Sequence, residues 1–180
     1  MRKRSRQILI ELFSKYEIGV EIGVDKGSFS FDILELPNIK VLYGIDPWMD
    51  EKGNFVKKVY DECIDRLKVY GDRSKIIIKK SIDASRDFVD DSLDFVYIDG
   101  DHSYNGCKTD LNVWTPKVKI GGIVSGHDYK NVGKAMCLGY GSETIRCKVK
   151  TAVNEFVKNN NYNLSVLSGQ GNNWYFIKEH

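Results

Sequence analysis

No stretch of this 180-residue chain is apolar for long enough to cross a membrane. Its start has basic residues but no extended apolar core followed by a small-residue cleavage site. No membrane span and no signal peptide are therefore expected, and a cytoplasmic location is. Charge of one sign is also lacking. The 27 Lys and Arg nearly offset the 25 Asp and Glu, and a net charge of +2 gives no global field that would gather nucleic acid or an anionic membrane. The one local concentration is Met1-Arg-Lys-Arg-Ser-Arg6. It reads as a solvated helix start, with an anionic partner as the alternative. Cysteine is sparse, and the four residues at 63, 107, 137 and 147 form no C-x-x-C pair. Cys63 and Cys107 fall on apolar helical faces, where a reduced thiol acts as a small hydrophobe. Cys137 and Cys147 flank a glycine-rich loop, where pairing or metal binding is open and reduced thiols are the expectation. Internal repeats, linkers and low-complexity segments are absent. The length points to one domain, 1–180, without a separate substrate domain.

What is present is organised around Asp94-Phe-Val-Tyr-Ile-Asp-Gly-Asp-His-Ser-Tyr104. Phe95 to Ile98 form an unbroken apolar run, as expected of a strand covered on both faces in a parallel sheet. The run ends in Asp99-Gly-Asp-His102, so two carboxylates and an imidazole sit at a strand's carboxyl end, the edge where open α/β sheets bind ligands. The bland alternative is an Asp-Gly turn with helix-capping acids. Ser103 is a candidate N-cap for a helix carrying Tyr104, Cys107, Leu111 and Trp114 on one face and stopped near Pro116.

Upstream, Ile8, Leu9, Leu12, Phe13 and Tyr16 predict an amphipathic N-terminal helix over 1–16. A strand over Ile18–Ile22 follows, then Gly23-Val-Asp-Lys-Gly27-Ser28 and a helix that ends at Pro37. Strand, glycine turn and helix make the first half of a nucleotide-binding unit. The full G-x-G-x-x-G spacing is missing, and Asp25 stands where the middle glycine would be. A carboxylate there repels a pyrophosphate but tolerates a cationic or zwitterionic ligand, and Glu21 points the same way. The second strand, 39–45, ends in Asp46-Pro-Trp48. An acid there can accept from both ribose hydroxyls, and Trp48 could cover an adenine or simply pack. Asn54 is a candidate cap for a helix through Leu67. A third strand over 75–78 runs into Ser81–Ser85, where Asp83 is either a helix cap or an acceptor for an adenine amino group. A fifth strand is expected over 118–125, with Gly121-Gly122 as a turn ahead of it, ending in Gly126-His-Asp-Tyr129. Residues 130–148 form a long loop with Tyr140 near its middle, a length that tends to be functional. A helix with Val149, Ala152, Val153, Phe156 and Val157 on its stripe follows, and then a hairpin of 162–167 and 174–177.

Taken in order, Glu21 to Ser28, Gly44 to Asp46, Asp99 to Tyr104, Gly121 to Tyr129 and Val149 to Phe156 resemble the class I S-adenosylmethionine-dependent methyltransferases. The resemblance is to the small Rossmann-like branch that includes macrocin-type sugar O-methyltransferases. It spans about Gly19 to Ile177. It implies a mostly parallel seven-stranded sheet with helices on both faces and a C-terminal antiparallel hairpin. It also implies S-adenosyl-L-methionine as cofactor and, most directly, methylation of a sugar or small-molecule hydroxyl. By matching position, Glu21, Gly23, Gly27 and Ser28 line the methionine end and Asp46 holds the ribose. Asp83 and Ala84 border the adenine with Trp48 nearby, and Asp99 lies beneath the transferred methyl.

Methyl transfer from a sulfonium is an in-line displacement, so a hydroxyl acceptor needs alignment and loss of a proton. The resemblance offers two schemes. In one, Mg²⁺ or Mn²⁺ on Asp99, His127 and Asp128 acidifies the acceptor. Relatives carry Asp-Asp or Asp-Asn where this chain has His127-Asp128, and magnesium prefers oxygen. In the other, Asp101, His102 or His127 is the base without a metal. Rival readings are an NAD-type oxidoreductase, a non-catalytic S-adenosylmethionine-binding or scaffold protein, and an RNA methyltransferase. The last is supported only by Arg2, Lys3, Arg4 and Arg6. Expected partners are a hydroxylated sugar or phenol, no membrane and no nucleic acid, with a homo-oligomer left open.

Overall fold

In a computed structural model, residues 5–50, 52–132, 147–169 and 172–180 are described. The elements in chain order are α1 (Ser5–Phe13), β1 (Ile18–Ile22), α2 (Ser28–Leu34), β2 (Val41–Ile45), α3 (Lys57–Leu67), β3 (Ser74–Ile77), α4 (Ser81–Ala84), β4 (Leu93–Ile98), α5 (Tyr104–Trp114), β5 (Val118–Gly126), α6 (Val149–Asn159), β6 (Ser165–Leu167) and β7 (Asn173–Ile177). The strands form one seven-stranded sheet in the order β3-β2-β1-β4-β5-β7-β6. The first five are parallel. β7 inserts antiparallel between β5 and β6, which is the expected hairpin.

The alternating side chains of the central strands divide the core in two. Val20, Ile22, Val96, Ile98 and Val124 face α5 and α6, where Leu111, Trp114, Ala152 and Val153 cover them. Phe95, Tyr97 and Ile123 face the other way, against Leu9 and Phe13 of α1, Phe29 and Ile33 of α2, and Cys63 and Leu67 of α3. The continuous apolar run of β4 is thus explained by helices on both faces. Gly19 is forced by this packing. A Cβ there would lie 2.0 Å from the Phe95 ring, which stacks on Phe13 at 4.2 Å.

Three expectations need correction. Gly121-Gly122 does not precede the fifth strand but lies inside it. Leu93 pairs with Val118 and Phe95 with Ile123, so the strand bulges there, with Gly121 at φ +82°. Asn54 does not cap α3. Val56 occupies that position, and the Asn54 amide donates to Asp50 Oδ2 at 3.0 Å. The first hairpin strand is shorter than the apolar pattern implied, because its pairing with β7 covers only the register from Ser165 to Leu167.

Four backbone bonds carry the sheet beyond its strands. Gly23 N–H donates to Ile45 O at 2.9 Å, Asp46 N–H to Ile77 O at 3.3 Å, Asp99 N–H to Ile22 O at 2.8 Å and His127 N–H to Ile98 O at 3.1 Å. Each fixes the first residue past a strand, along the edge where the connections from β1 and β4 diverge to opposite faces.

Gly19→Ala is expected to cost about 1–3 kcal/mol by overpacking the Phe13–Phe95 stack. Adding Phe95→Leu should return part of that loss. Urea unfolding of the two variants measures both, and an unchanged Gly19→Ala midpoint would show that the ring relocates freely.

Candidate active site

A cavity of about 580 Å³ opens on this edge. Gly23, Asp25 and Asp46 border it from the β1 and β2 ends, Pro47 and Met49 follow β2, and Lys80, Ser81 and Ile82 follow β3. Asp99 to His102 with Thr109 and Asp110 of α5 close the far wall. Gly23 is at φ +82°, and a Cβ on it would stand 2.2 Å from Asp99 O. Only glycine therefore lets the first turn approach the end of β4. Gly27, at φ +72°, is needed for packing, because its Cβ would press on Leu67 and Cys63 at 3.1–3.2 Å. Ser28 begins α2 as an exposed residue and is not among the cavity lining.

Asp46 is held in place by the backbone. Its Oδ2 accepts from Asp25 N–H at 3.0 Å and its Oδ1 from Trp48 N–H at 2.7 Å. Both donors sit at left-handed φ, 52° and 44°, so the carboxylate stabilises two strained residues while keeping lone pairs for a ligand. Burial raises its pKa. Trp48 does not cover an adenine. Its indole is fully buried, donates to Asp25 O at 2.9 Å and meets Tyr60 edge-on. The ring was worth more as core than as a lid. Asp83 and Ala84 are likewise displaced from the expected role. Asp83 points to solvent and pairs with Arg86 at 3.0 Å, and Ala84 is buried in the core. One turn of α4 carries them past the cavity and leaves Lys80, Ser81 and Ile82 on it.

Two buried carboxyls hold protons near neutrality. Burial pushes Glu21 up to about 8 despite a hydrogen bond from Ser30, and neighbouring Asp99 adds to the rise. Burial likewise raises Asp110 to about 7 against a hydrogen bond from Ser81, with Asp101 adding to the rise. Ser81 Oγ donates to Asp110 Oδ1 at 2.5 Å and accepts from Trp114 Nε1 at 2.8 Å. Asp110 escaped the sequence reading although it interrupts the apolar stripe of Cys107, Leu111 and Trp114, and that interruption was its signal.

Asp99, His102, His127 and Asp128 come together. His102 Nε2 is 3.1 Å from Asp99 Oδ1 and 4.0 Å from Asp128 Oδ2. His127 Nδ1 is 3.4 Å from both Asp99 Oδ1 and Asp128 Oδ1. Burial alone would raise Asp99, but hydrogen bonds and charge from His102 and His127 outweigh it and hold the carboxyl at about 2. For His102, burial lowers the pKa and Asp99 more than restores it, leaving a net rise. Asp101 lines the cavity with its carboxylate turned toward α5, accepting from Ser103 N–H at 2.8 Å. Ser103 caps α5 through a bond from Gly106 N–H at 3.0 Å.

The three expected metal ligands are adjacent, yet they do not fit a hard divalent ion. Asp99 Oδ2 is taken by Arg6 Nη2 at 3.0 Å and Asp128 Oδ1 by Lys130 Nζ at 2.9 Å. Among the described residues no group of three or more His, Cys, Asp or Glu is arranged to hold a metal. The oxygens a magnesium ion would need face built-in cations instead. Arg6 and Lys130 were both missed. Arg6 looked like part of a solvated basic start, and nothing local marks Lys130. Of the expected substrate loop, 133–146 lies outside the described residues, as do Cys137 and Tyr140. Its flanks meet near His102: Val132 N–H donates to Cys147 O at 3.1 Å and Lys148 N–H to His102 O at 2.9 Å. Cys147 is a free buried thiol.

This sheet order, with an acid at the end of β2 and a glycine turn at the diverging edge, defines a class I S-adenosylmethionine-dependent methyltransferase fold. Residues 20–129 match the family model described as "Methyltransferase domain", and the chain belongs to that family. This sets aside the NAD-type reading and makes S-adenosyl-L-methionine the cofactor. Among curated relatives, an uncharacterized protein of Sinorhizobium fredii is 27% identical over 88 residues, 48% of this chain and 10% of that protein. An uncharacterized protein of Acanthamoeba polyphaga mimivirus is 28% identical over 118 residues, 62% of this chain and 51% of that protein. The chain thus spans a tenth to about half of the length of these relatives. Solved structures share the fold at low identity. A Staphylococcus aureus protein provisionally named a caffeoyl-CoA O-methyltransferase aligns at TM-score 0.74 and 17% identity, over 99% of this chain and 85% of that one. An rRNA methylase from Streptococcus thermophilus aligns at 0.69 and 14%, over 100% and 99%. A Streptococcus mutans protein provisionally named a methyltransferase, in complex with SAH, aligns at 0.68 and 14%, over 99% of both. No helix among the described residues is long and apolar enough to cross a membrane.

Glu21 and Asp110 bind protons in the folded chain at pH values where the unfolded chain, with values near 4.5 and 3.8, has released them. Stability must then fall as pH rises through the interval up to about 8 and about 7. Asp46, also raised, adds in the same sense. Asp99 acts oppositely, and only as pH drops below 3.8 toward about 2. Cofactor-free protein should therefore melt at lower temperature at about pH 8 than at about pH 5, and Glu21→Gln and Asp110→Asn should each flatten that slope. A slope unchanged in both variants would remove these groups as its cause.

Proposed function

We propose that the chain, acting as one domain, transfers a methyl group from S-adenosyl-L-methionine to the hydroxyl oxygen of a small acceptor, a sugar or a phenol, with His102 as the general base. The observation that carries this reading is the His102–Asp99 pair, 3.1 Å apart on the cavity wall. Asp99 remains ionised and accepts from Nε2–H, which leaves Nδ1 with the lone pair that takes the acceptor proton. The acceptor oxygen forms its bond to the methyl carbon while the carbon–sulfur pair returns to sulfur. The sulfonium charge is lost, and the proton ends on His102. Asp99, placed beside the sulfonium, favours its binding.

In this reading the ribose hydroxyls donate to Asp46. The adenine lies among Met49, Ile82 and the Ser81–Asp110 pair, and the methionine end passes Gly23 toward Glu21. The carboxyl of Glu21 is neutral in the free protein and ionises against a bound ammonium. Arg6 and Lys130 already neutralise the two carboxylates, so no step is assigned to a metal. His127 supports Asp99 and Asp128 electrostatically. The name given to the Staphylococcus aureus neighbour is in keeping with a phenolic acceptor. That of the Streptococcus thermophilus neighbour keeps RNA as the second reading.

Asp46→Ala is expected to weaken S-adenosylhomocysteine binding by about 30-fold or more, because a buried bidentate acceptor is lost. His102→Ala should leave that affinity within about twofold yet lower turnover by about 10²–10⁴. Calorimetry reads the first effect. Radiolabelled methyl transfer to panels of sugars, phenols and RNA reads the second. Label appearing only in RNA would overturn the small-molecule reading. Tight binding without transfer to any panel would favour a non-catalytic binding protein.

A further inference from the structure

Arg6 stands on the first turn of α1, and its guanidinium is directed inward. Nη2 is 3.0 Å from Asp99 Oδ2, and the guanidinium carbon lies 4.7 Å from the centroid of the Phe29 ring at the start of α2. Its charge is felt by Glu21, Tyr97 and Asp32, so it sits where the ends of β1 and β4 meet the first turn of α2. The helix that carries it is anchored. Ser5 Oγ accepts from Asn173 Nδ2 at 2.8 Å, Asn173 Oδ1 accepts from Tyr97 OH at 2.9 Å, and Leu9 and Phe13 are fully buried. The arm is therefore held in place by packing. One part of it is unsatisfied, because Arg6 Nε is buried and its proton has no acceptor. A buried donor without a partner is costly and calls for a missing acceptor.

The chemistry of the cofactor supplies one. The methionine end of S-adenosylmethionine carries a sulfonium, an ammonium and a carboxylate. Asp25, Asp46 and Asp99 line the cavity, suit the two cations and repel the anion, and Glu21 joins them once it ionises against the ammonium. A carboxylate can settle there only beside a compensating cation. A planar guanidinium that already reaches Asp99 has the geometry to take it through two parallel bonds.

We propose that Arg6 is a binding residue for the amino-acid carboxylate of the cofactor, an inference that rests on the assignment of this cavity to S-adenosylmethionine. On binding, Arg6 shifts part of its hydrogen bonding from Asp99 to the incoming carboxylate, and the released Asp99 oxygen faces the sulfonium. The basic start of the chain thus contributes to the cofactor site from outside the residues 20–129 that match the family model.

The test compares two ligands that differ at this end. S-adenosylhomocysteine has the amino-acid group, whereas 5′-deoxy-5′-methylthioadenosine keeps adenine, ribose and thioether without it. Calorimetry on wild type, Arg6→Met and Arg6→Lys gives dissociation constants for both. Arg6→Met is expected to weaken S-adenosylhomocysteine by about 10- to 100-fold, with Arg6→Lys between it and wild type, and methylthioadenosine unchanged within about twofold in all three. Retained methylthioadenosine binding also shows that the variants are folded. Unchanged S-adenosylhomocysteine affinity in Arg6→Met would overturn the proposal. An equal loss for both ligands would overturn it as well, showing that Arg6 only supports α1 and Asp99. Wild type binding neither ligand would instead overturn the cofactor assignment, and this proposal with it.

Discussion

The candidate site depends on the last rung of the parallel ladder. Gly23, Asp46, Asp99 and His127 each donate a backbone bond to the neighbouring strand after their own strand has ended. A ladder bond costs little to extend once the strand is aligned, and it orients the Cα–Cβ vector of the residue that makes it. Four groups distant in sequence are therefore presented at one edge with no loop flexibility between them. The side-chain bonds come afterwards: Asp46 steadies Asp25 and Trp48, and Asp99 steadies both histidines.

The second constraint is charge. The edge gathers Glu21, Asp25, Asp46, Asp99, Asp101, Asp110 and Asp128, and so many carboxylates could not all remain ionised in a partly dry cavity. The protein resolves this in two ways. Glu21 and Asp110 keep their protons through burial, whereas Asp99 is held ionised by the imidazoles beside it and meets Arg6, and Asp128 lies 2.9 Å from Lys130 Nζ. The first kind of acid suits a site that receives a cation, since ionisation can accompany binding.

The legible parts of the chain were those whose signal is local. Alternation of apolar residues, the glycine turn, Ser103 as a cap and acids at strand ends all follow from neighbours within a few positions. They led to the sheet, the hairpin and the placing of Asp46, Asp99, His102 and His127 past the ends of their strands. Trp48 was misread because a strand end looks the same whether its aromatic ring turns into the core or over a ligand. Asp83 was misread because one turn of helix decides which of Ser81, Ile82 and Asp83 reaches the cavity.

By itself the sequence determined the α/β class, the order of the elements and the kinds of side chain at each strand end, because periodicity and turn chemistry act over a few residues. Only the tertiary structure decided which charges meet. Arg6 and Asp99 are 93 positions apart, and Ser81 and Asp110 are 29 apart. Packing of α1 and α5 against opposite faces of the sheet brings each pair into contact. No local pattern encodes that distance, so the electrostatics of the site could be read only from the fold.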